Sequence, residues 1–307
     1  MVKAALQKSA FAILSICILT MANSYLGTII PVLLHDQAIA VSKVGLIATA
    51  YEGGIFIGAF GAPFLLNRFG FLRANIIALS AVALSSIGCI WAMQVIFWIA
   101  LRLLCGFAVG VLYVLIEAWI LSQAHKRIKG IVFGFYLFLF YVAMTLGRLL
   151  LTLSLERIWM IFGLIAFISV IAIVPLFFSD YSAFNLQEKK RMKWLSLCAY
   201  SPFGVFLCVI AGLCIGALYD IMPYYLAVKG YNHNQIGLVT GCIVAGGALM
   251  QVPIGYFSDR LDMRSLMVGI CIMIVCASLL VLHATSIFEL YLGGFFLGAS
   301  VMVSFPL

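Results

Sequence analysis

The sequence predicts an all-α, polytopic membrane protein, and three observations carry that prediction. Charged residues are too few for a water-facing surface, apolar runs of bilayer length recur, and the chain repeats itself. Of 307 residues, 65% are hydrophobic and 9% charged, whereas a soluble domain carries about 25% charged residues. About ten apolar runs are long enough to cross a bilayer as helix. They are continuously apolar and do not alternate residue by residue, so the prediction is helices and not a barrel.

The first run, at 11–34, follows Lys3 and Lys8 and is too long for a signal-peptide core of about 7–15 residues. Further spans are expected at 44–66, 74–93, 97–120, 130–151 and 159–178. The most polar stretch, within 179–194, separates these from four more, at 201–228, 235–257, 266–283 and 288–307. Lys and Arg set the orientation. With the N-terminus inside, thirteen fall in inner segments and three, Lys43, Arg157 and Lys229, in outer ones. That asymmetry predicts a cytoplasmic N-terminus, and it accounts for the net charge of +8 without nucleic acid. The nine cysteines lie in or beside apolar runs with no C-x-x-C, and they read as small core residues. The four histidines are dispersed among loops and span ends, so no metal site is expected.

A shift of 192 positions, without a gap, lays one half of the chain on the other. Pro31 falls on Pro223, Gly45 on Gly237, Gly54 on Gly246, Arg68 on Arg260 and Gly106 on Gly298. Conformationally special residues that agree at one offset predict parallel repeats. The first span has its counterpart in the seventh, a second reason to expect that it is retained.

Gly255-Tyr-Phe-Ser-Asp259-Arg260-Leu-Asp262-Met-Arg264, between spans eight and nine, resembles the G-x-x-x-D-R-x-G-R-R loop signature of the major facilitator superfamily. A first copy between spans two and three reads Pro63-Phe-Leu-Leu-Asn67-Arg68-Phe-Gly70-Phe-Leu-Arg73. Span four supplies Arg102-x-x-x-Gly106-x-x-x-Gly110, similar to the family's R-x-x-x-G. Around Glu117-Ala-Trp119 the chain resembles poorly characterised bacterial members. The resemblance implies two six-helix pseudo-repeats, the second incomplete: a bundle at 1–178, a cytoplasmic linker at 179–194, and spans seven to ten at 195–307. The family has twelve spans, so a C-terminally truncated product is expected. Pro63 and Asn67 stand where the signature has glycine and aspartate. Gly147-Arg148 stands where proton-coupled drug antiporters have P-x-x-G-G, which argues against drug efflux.

Ionisable groups inside a bilayer cost about 2.5–3.5 kcal/mol each on insertion scales, so those present face a cavity or one another. Glu52, Arg102 and Asp220, with the polar Asn23, are the candidates for a substrate or proton pathway. Arg102 can hold an anion or act on a nearby carboxylate, and a direct Glu52–Arg102 pair is expected. The alternative for that pair is an ion pair that only fixes helix packing. Asp220 has a local cap near Pro223 as its alternative, and Asn23 an interhelical contact. Arg148, close to the outer boundary, is expected to snorkel to headgroups. Phe133 to Tyr141 reads as lipid-facing bulk. Gly53, Gly54, Gly58 and Gly61 form a small-residue stripe, which the resemblance sets against an eleventh span. The resemblance further implies gating loops at Asn67, Arg68, Gly70 and Arg73 and at Gly255, Asp259, Arg260 and Arg264, with Glu117 clasping Arg68 or Arg73.

No nucleophile with a paired base and no phosphate loop is found, so neither an enzyme nor an ATP-driven pump is expected. The expectation is a monomeric secondary transporter in the plasma (inner) membrane. It would move a small-molecule solute by alternating access, with protons as candidate coupling ion, membrane lipid as surroundings and no cofactor. A non-transporting sensor or assembly factor on the same scaffold is the alternative.

Overall fold

A backbone in lipid must satisfy its own polar groups, and the apolar runs do so as helices. The computed structural model describes residues 2–91, 94–125, 128–153, 157–178, 181, 209–210, 212–258 and 263–302. The helices are α1 (Val2–Asp36), α2 (Val41–Phe69), α3 (Phe71–Gly88), α4 (Val95–Gln123) and α5 (Lys129–Leu149). They continue with α6 (Ile158–Ile171), α7 (Gly212–Val228), α8 (His233–Ser258), α9 (Met263–Leu282) and α10 (Ile287–Val301). Each corresponds to one expected span, and no strand occurs among the described residues. Seven described helices are long and apolar enough to cross a membrane, while α7 and α10 are shorter apolar helices.

Local signals mark the breaks. Gly70, at φ 77°, turns the chain between α2 and α3 in a single residue, and its N–H donates to the Leu66 carbonyl. A side chain there would be strained, which gives this first-signature glycine its reason. Ser286 and Glu289 form a reciprocal capping box that starts α10.

The repeat is visible in the packing. On α4, a Cβ at Gly106 would strike the Tyr51 carbonyl, and one at Gly54 on α2 would strike the Leu103 carbonyl. On α10, a Cβ at Gly298 would strike the Ile243 carbonyl, and one at Gly246 on α8 would strike that of Phe295. These are the positions that the 192-residue shift exchanges. Backbone-to-backbone contact of this kind is what small residues permit in membranes. One expectation is corrected here. Gly54 and Gly58 are taken up by α4, with Gly58 facing Phe107, while Gly53 has nothing within 4 Å. The stripe is therefore a crossing within the first half, because successive i, i+4 glycines lie on one helix face.

Between the halves, α5 packs on α8 and α1 on α7. A Cβ at Gly237 would lie 3.1 Å from the Arg148 carbonyl oxygen and 3.1 Å from Leu151 Cβ. At the end that carries the α1–α2 turn, Asp36 bridges His35 at 3.3 Å and His233 at 3.7 Å. Tyr224 donates from its hydroxyl to the Ile39 carbonyl at 3.1 Å and meets the His35 ring edge-on. The expected linker falls outside the described residues apart from Tyr181. Tyr181 stacks on Phe71 at 4.4 Å between ring centroids and meets Trp119 at 4.8 Å.

Candidate functional site

Arg102, Gly106 and Gly110 recur every four residues along α4, and the two glycines fix that face against α2. Arg102 is thereby carried over Tyr51, with its guanidinium carbon 3.9 Å from the ring centroid. Gly147 does the same on α5, where its approach to the Met21 carbonyl presses the helix onto α1. The next residue, Arg148, sits 4.5 Å from the Tyr219 ring centroid and 3.5 Å from Thr28 Oγ1. In α7 the helix widens to a π-turn at Ala217–Ile221. Such bulges often occur at functional sites, and this one delivers Tyr219 and Asp220 to the same space.

The groups surround a cavity of about 360 Å³ built from α1, α2, α4, α5, α7 and Met302. Arg102, Arg148 and Asp220 are only 3%, 2% and 7% exposed. Arg102 Nη1 and Arg148 Nε are buried without a hydrogen-bond partner among the described residues. Arg102, Arg148, Glu52 and Asp220 all line this cavity. Both Arg102 and Asp220 also line a second, water-sized pocket on the α1–α2 side. With Gly27, they are the lining residues that the two spaces share. Asn23 donates from Nδ2 to the Tyr51 hydroxyl at 2.5 Å, while its Oδ1 has no partner among the described residues.

The structure brings Asn23, Glu52, Arg102 and Asp220 together, and it also revises several expectations. No ion pair joins Glu52 to Arg102 among the described residues. Tyr51 takes the face of the guanidinium, while Glu52 is exposed beside it. Glu117 does not clasp Arg68 or Arg73: it lines the cavity and accepts a hydrogen bond from the Tyr136 hydroxyl at 3.0 Å. Those arginines, with Asn67 and Gly70, are exposed at the α2–α3 turn. Arg148 does not snorkel, because the α1–α5 contact at Gly147 turns it inward. The aromatic run on α5 is split by helical period. Tyr136 is buried and Phe140 and Tyr141 line the cavity, while Phe135 and Phe138 face out. Asp259 and Arg260 lie outside the described residues, and Gly255 and Arg264 are described only as backbone, in α8 and α9. Sequence reasoning missed Tyr51, Tyr219 and the meeting of His35 and His233 at Asp36. The Arg148 signal was present, but its depth was read without its direction. Among the described residues, no cluster of His, Cys, Asp and Glu is disposed to hold a metal ion.

The family model for the Major Facilitator Superfamily matches residues 12–307. An uncharacterised MFS-type transporter, YcaD, of Escherichia fergusonii is 26% identical over 245 residues, covering 79% of this chain and 64% of that protein. Its counterpart in Escherichia coli O45:K1 is 27% identical over 246 residues, with coverage of 79% and 64%. The match thus spans under two thirds of these relatives' length. Among solved structures, a D-xylose–proton symporter superposes with TM-score 0.74 at 16% identity, over 97% of this chain and 80% of that one. The nucleoside transporter NupG (D323A mutant) gives TM-score 0.75 at 14% identity, over 98% and 80%.

Proposed function

The chain belongs to the Major Facilitator Superfamily, and from that membership we propose that it is a secondary transporter carrying a small solute by alternating access. The observation that carries the reading is the cavity. It lies where the two halves meet, and it holds two buried guanidinium groups with unused donors. A buried cation with unmet hydrogen bonds is costly to keep, and a solute that supplies acceptors would offset the cost. The named relatives are transporters too, and they support the same reading.

In this reading residues 1–178 and 195–307 are the two rocking units, joined by the linker at 179–194. The N-terminus is cytoplasmic, the α1–α2 turn faces outward, and the protein works as a monomer in the inner membrane. Latched contacts at the α1–α2 end support a conformation closed on that side. Glu52, Asp220 and Glu117 are the candidate proton carriers, since each is a carboxyl lining the cavity. The loop residues Asn67, Arg68, Gly70 and Arg73, and their second-half counterparts, are proposed as gating loops.

The test is uptake into proteoliposomes under an imposed pH gradient, with solutes chosen by comparing metabolites in cells with and without the protein. Arg102→Ala serves as control. Gradient-dependent accumulation that this change removes supports the reading, and a protein that moves none of the solutes it alters in cells argues for the non-transporting alternative.

A further inference from the structure

Resting on the transporter reading, we infer that the solute is an organic monoanion, one carboxylate or similar acid group on a largely apolar body, seated by Arg102 and Arg148. Two permanently charged groups and one carboxylate, Asp220, are buried in the cavity wall. Glu52 and Glu117 line the same cavity but are exposed and half-buried respectively, so among the fully buried groups two guanidiniums stand against one carboxyl. Each guanidinium already has one face covered by a tyrosine ring, which leaves its edge for in-plane hydrogen bonds. Arg102 Nη1 and Arg148 Nε have no hydrogen-bond partner among the described residues, and a guanidinium edge is geometrically suited to a carboxylate. A dianion would meet Glu52 and Glu117 in the same lining, so a single negative charge fits best.

The rest of the wall describes the body of the ligand. Ile55, Phe140, Met144 and Ile215 are apolar, and the cavity is of small-molecule size. A sugar would need several neutral hydrogen-bonding side chains. The amide nitrogen of Asn23 is engaged by Tyr51, and the Ser24 hydroxyl by the Met144 carbonyl. Besides Asn23 Oδ1, which has no partner among the described residues, the lining offers the hydroxyls of Tyr113 and Tyr141, while that of Tyr219 is engaged by Met302 Sδ; this suits one or two hydroxyls on a largely apolar body.

Three probes with one ring system and three charges decide the matter: 2-naphthoate, 2-naphthylmethylamine and 2-naphthalenemethanol. Each is titrated to about 10 mM into the purified full chain in detergent, and the melting temperature is followed. The expected result is saturable stabilisation by the acid alone. Stabilisation by the amine or the alcohol, or none by the acid, overturns the assignment. Arg102→Gln and Arg148→Gln locate the site, each weakening the acid's effect at least about tenfold. Arg148→Lys keeps the charge and a reduced response. Should a glutamine variant fail to fold, the wild-type series still distinguishes acid from amine and alcohol. Naphthoate uptake into proteoliposomes is measured in parallel. Stabilisation without uptake leaves the anion assignment standing and refutes transport of this solute, whereas pH-driven uptake of a neutral solute with no response to the acid does the reverse.

Discussion

At Tyr51 one side chain serves two neighbours, since its ring carries Arg102 and its hydroxyl receives the Asn23 amide. The two roles separate by substitution. Tyr51→Phe keeps the ring and loses the hydroxyl, while Tyr51→Leu loses both. The cation–π share is about 0.5–2 kcal/mol, so the leucine variant should melt earlier and transport less than the phenylalanine variant. Equal melting temperatures would show that the ring contact contributes nothing. Glu117 allows a second separation. Glutamine in its place can still accept from Tyr136 but cannot carry a proton. Glu117→Gln should therefore retain solute exchange between the two faces and lose accumulation driven by a pH gradient; unchanged accumulation would remove Glu117 from the proton path. The members of the site that were legible in the sequence share one property. Arg102, Asp220 and Glu52 are ionisable groups in apolar surroundings, where their cost demands a reason. Tyr51 and Tyr219 carry no such mark, for an aromatic residue in lipid costs little whichever way it faces. Arg148 shows the complementary limit: distance along the axis follows from sequence position, whereas direction depends on the neighbour that Gly147 admits.

At the scale of elements, spans, turns and repeat were legible because each rests on local physics: run length, the positive φ at Gly70, and glycine where backbones touch. Which helix meets the α2 glycines was not legible, since a small-residue face fits any close partner. The contact with α4 makes a prediction about substitution. Gly106→Ala would force a methyl group onto the Tyr51 carbonyl, and Gly298→Ala would force one onto that of Ile243. Overpacking of this kind costs about 1–3 kcal/mol. Both variants should therefore show lower melting temperatures in detergent, and to a similar degree if the two crossings are structural equivalents. Gly163→Ala on α6 is the control, with nothing within 4 Å of the added carbon. A control that loses as much stability as the crossing variants would mean that the loss does not come from these contacts.

At the scale of the whole molecule, the question is whether the latched α1–α2 end opens during the cycle. Asp36 and His233 are 53% and 37% exposed, and the pair spans the two halves. An exposed pair of this kind is worth about 0–1 kcal/mol, and the single Tyr224–Ile39 hydrogen bond adds about 0.5–1.5 kcal/mol. Contacts this weak can hold the end shut at rest and still yield to the free energy of solute binding, as a repeatedly opening gate requires. The Gly237 contact with α5 is different in kind. It is a close backbone approach without a polar latch, suited to an axis about which the halves turn. Asp36→Cys with His233→Cys, in a background freed of the nine native cysteines, should therefore be bridged by a short bifunctional thiol reagent. Bridging should stop transport and a reductant should restore it. A bridge from Leu151→Cys to Gly237→Cys, placed at the proposed axis, should slow transport far less. Transport that continues with the Asp36–His233 bridge in place would mean that this end stays closed throughout, and alternating access through it would have to be abandoned.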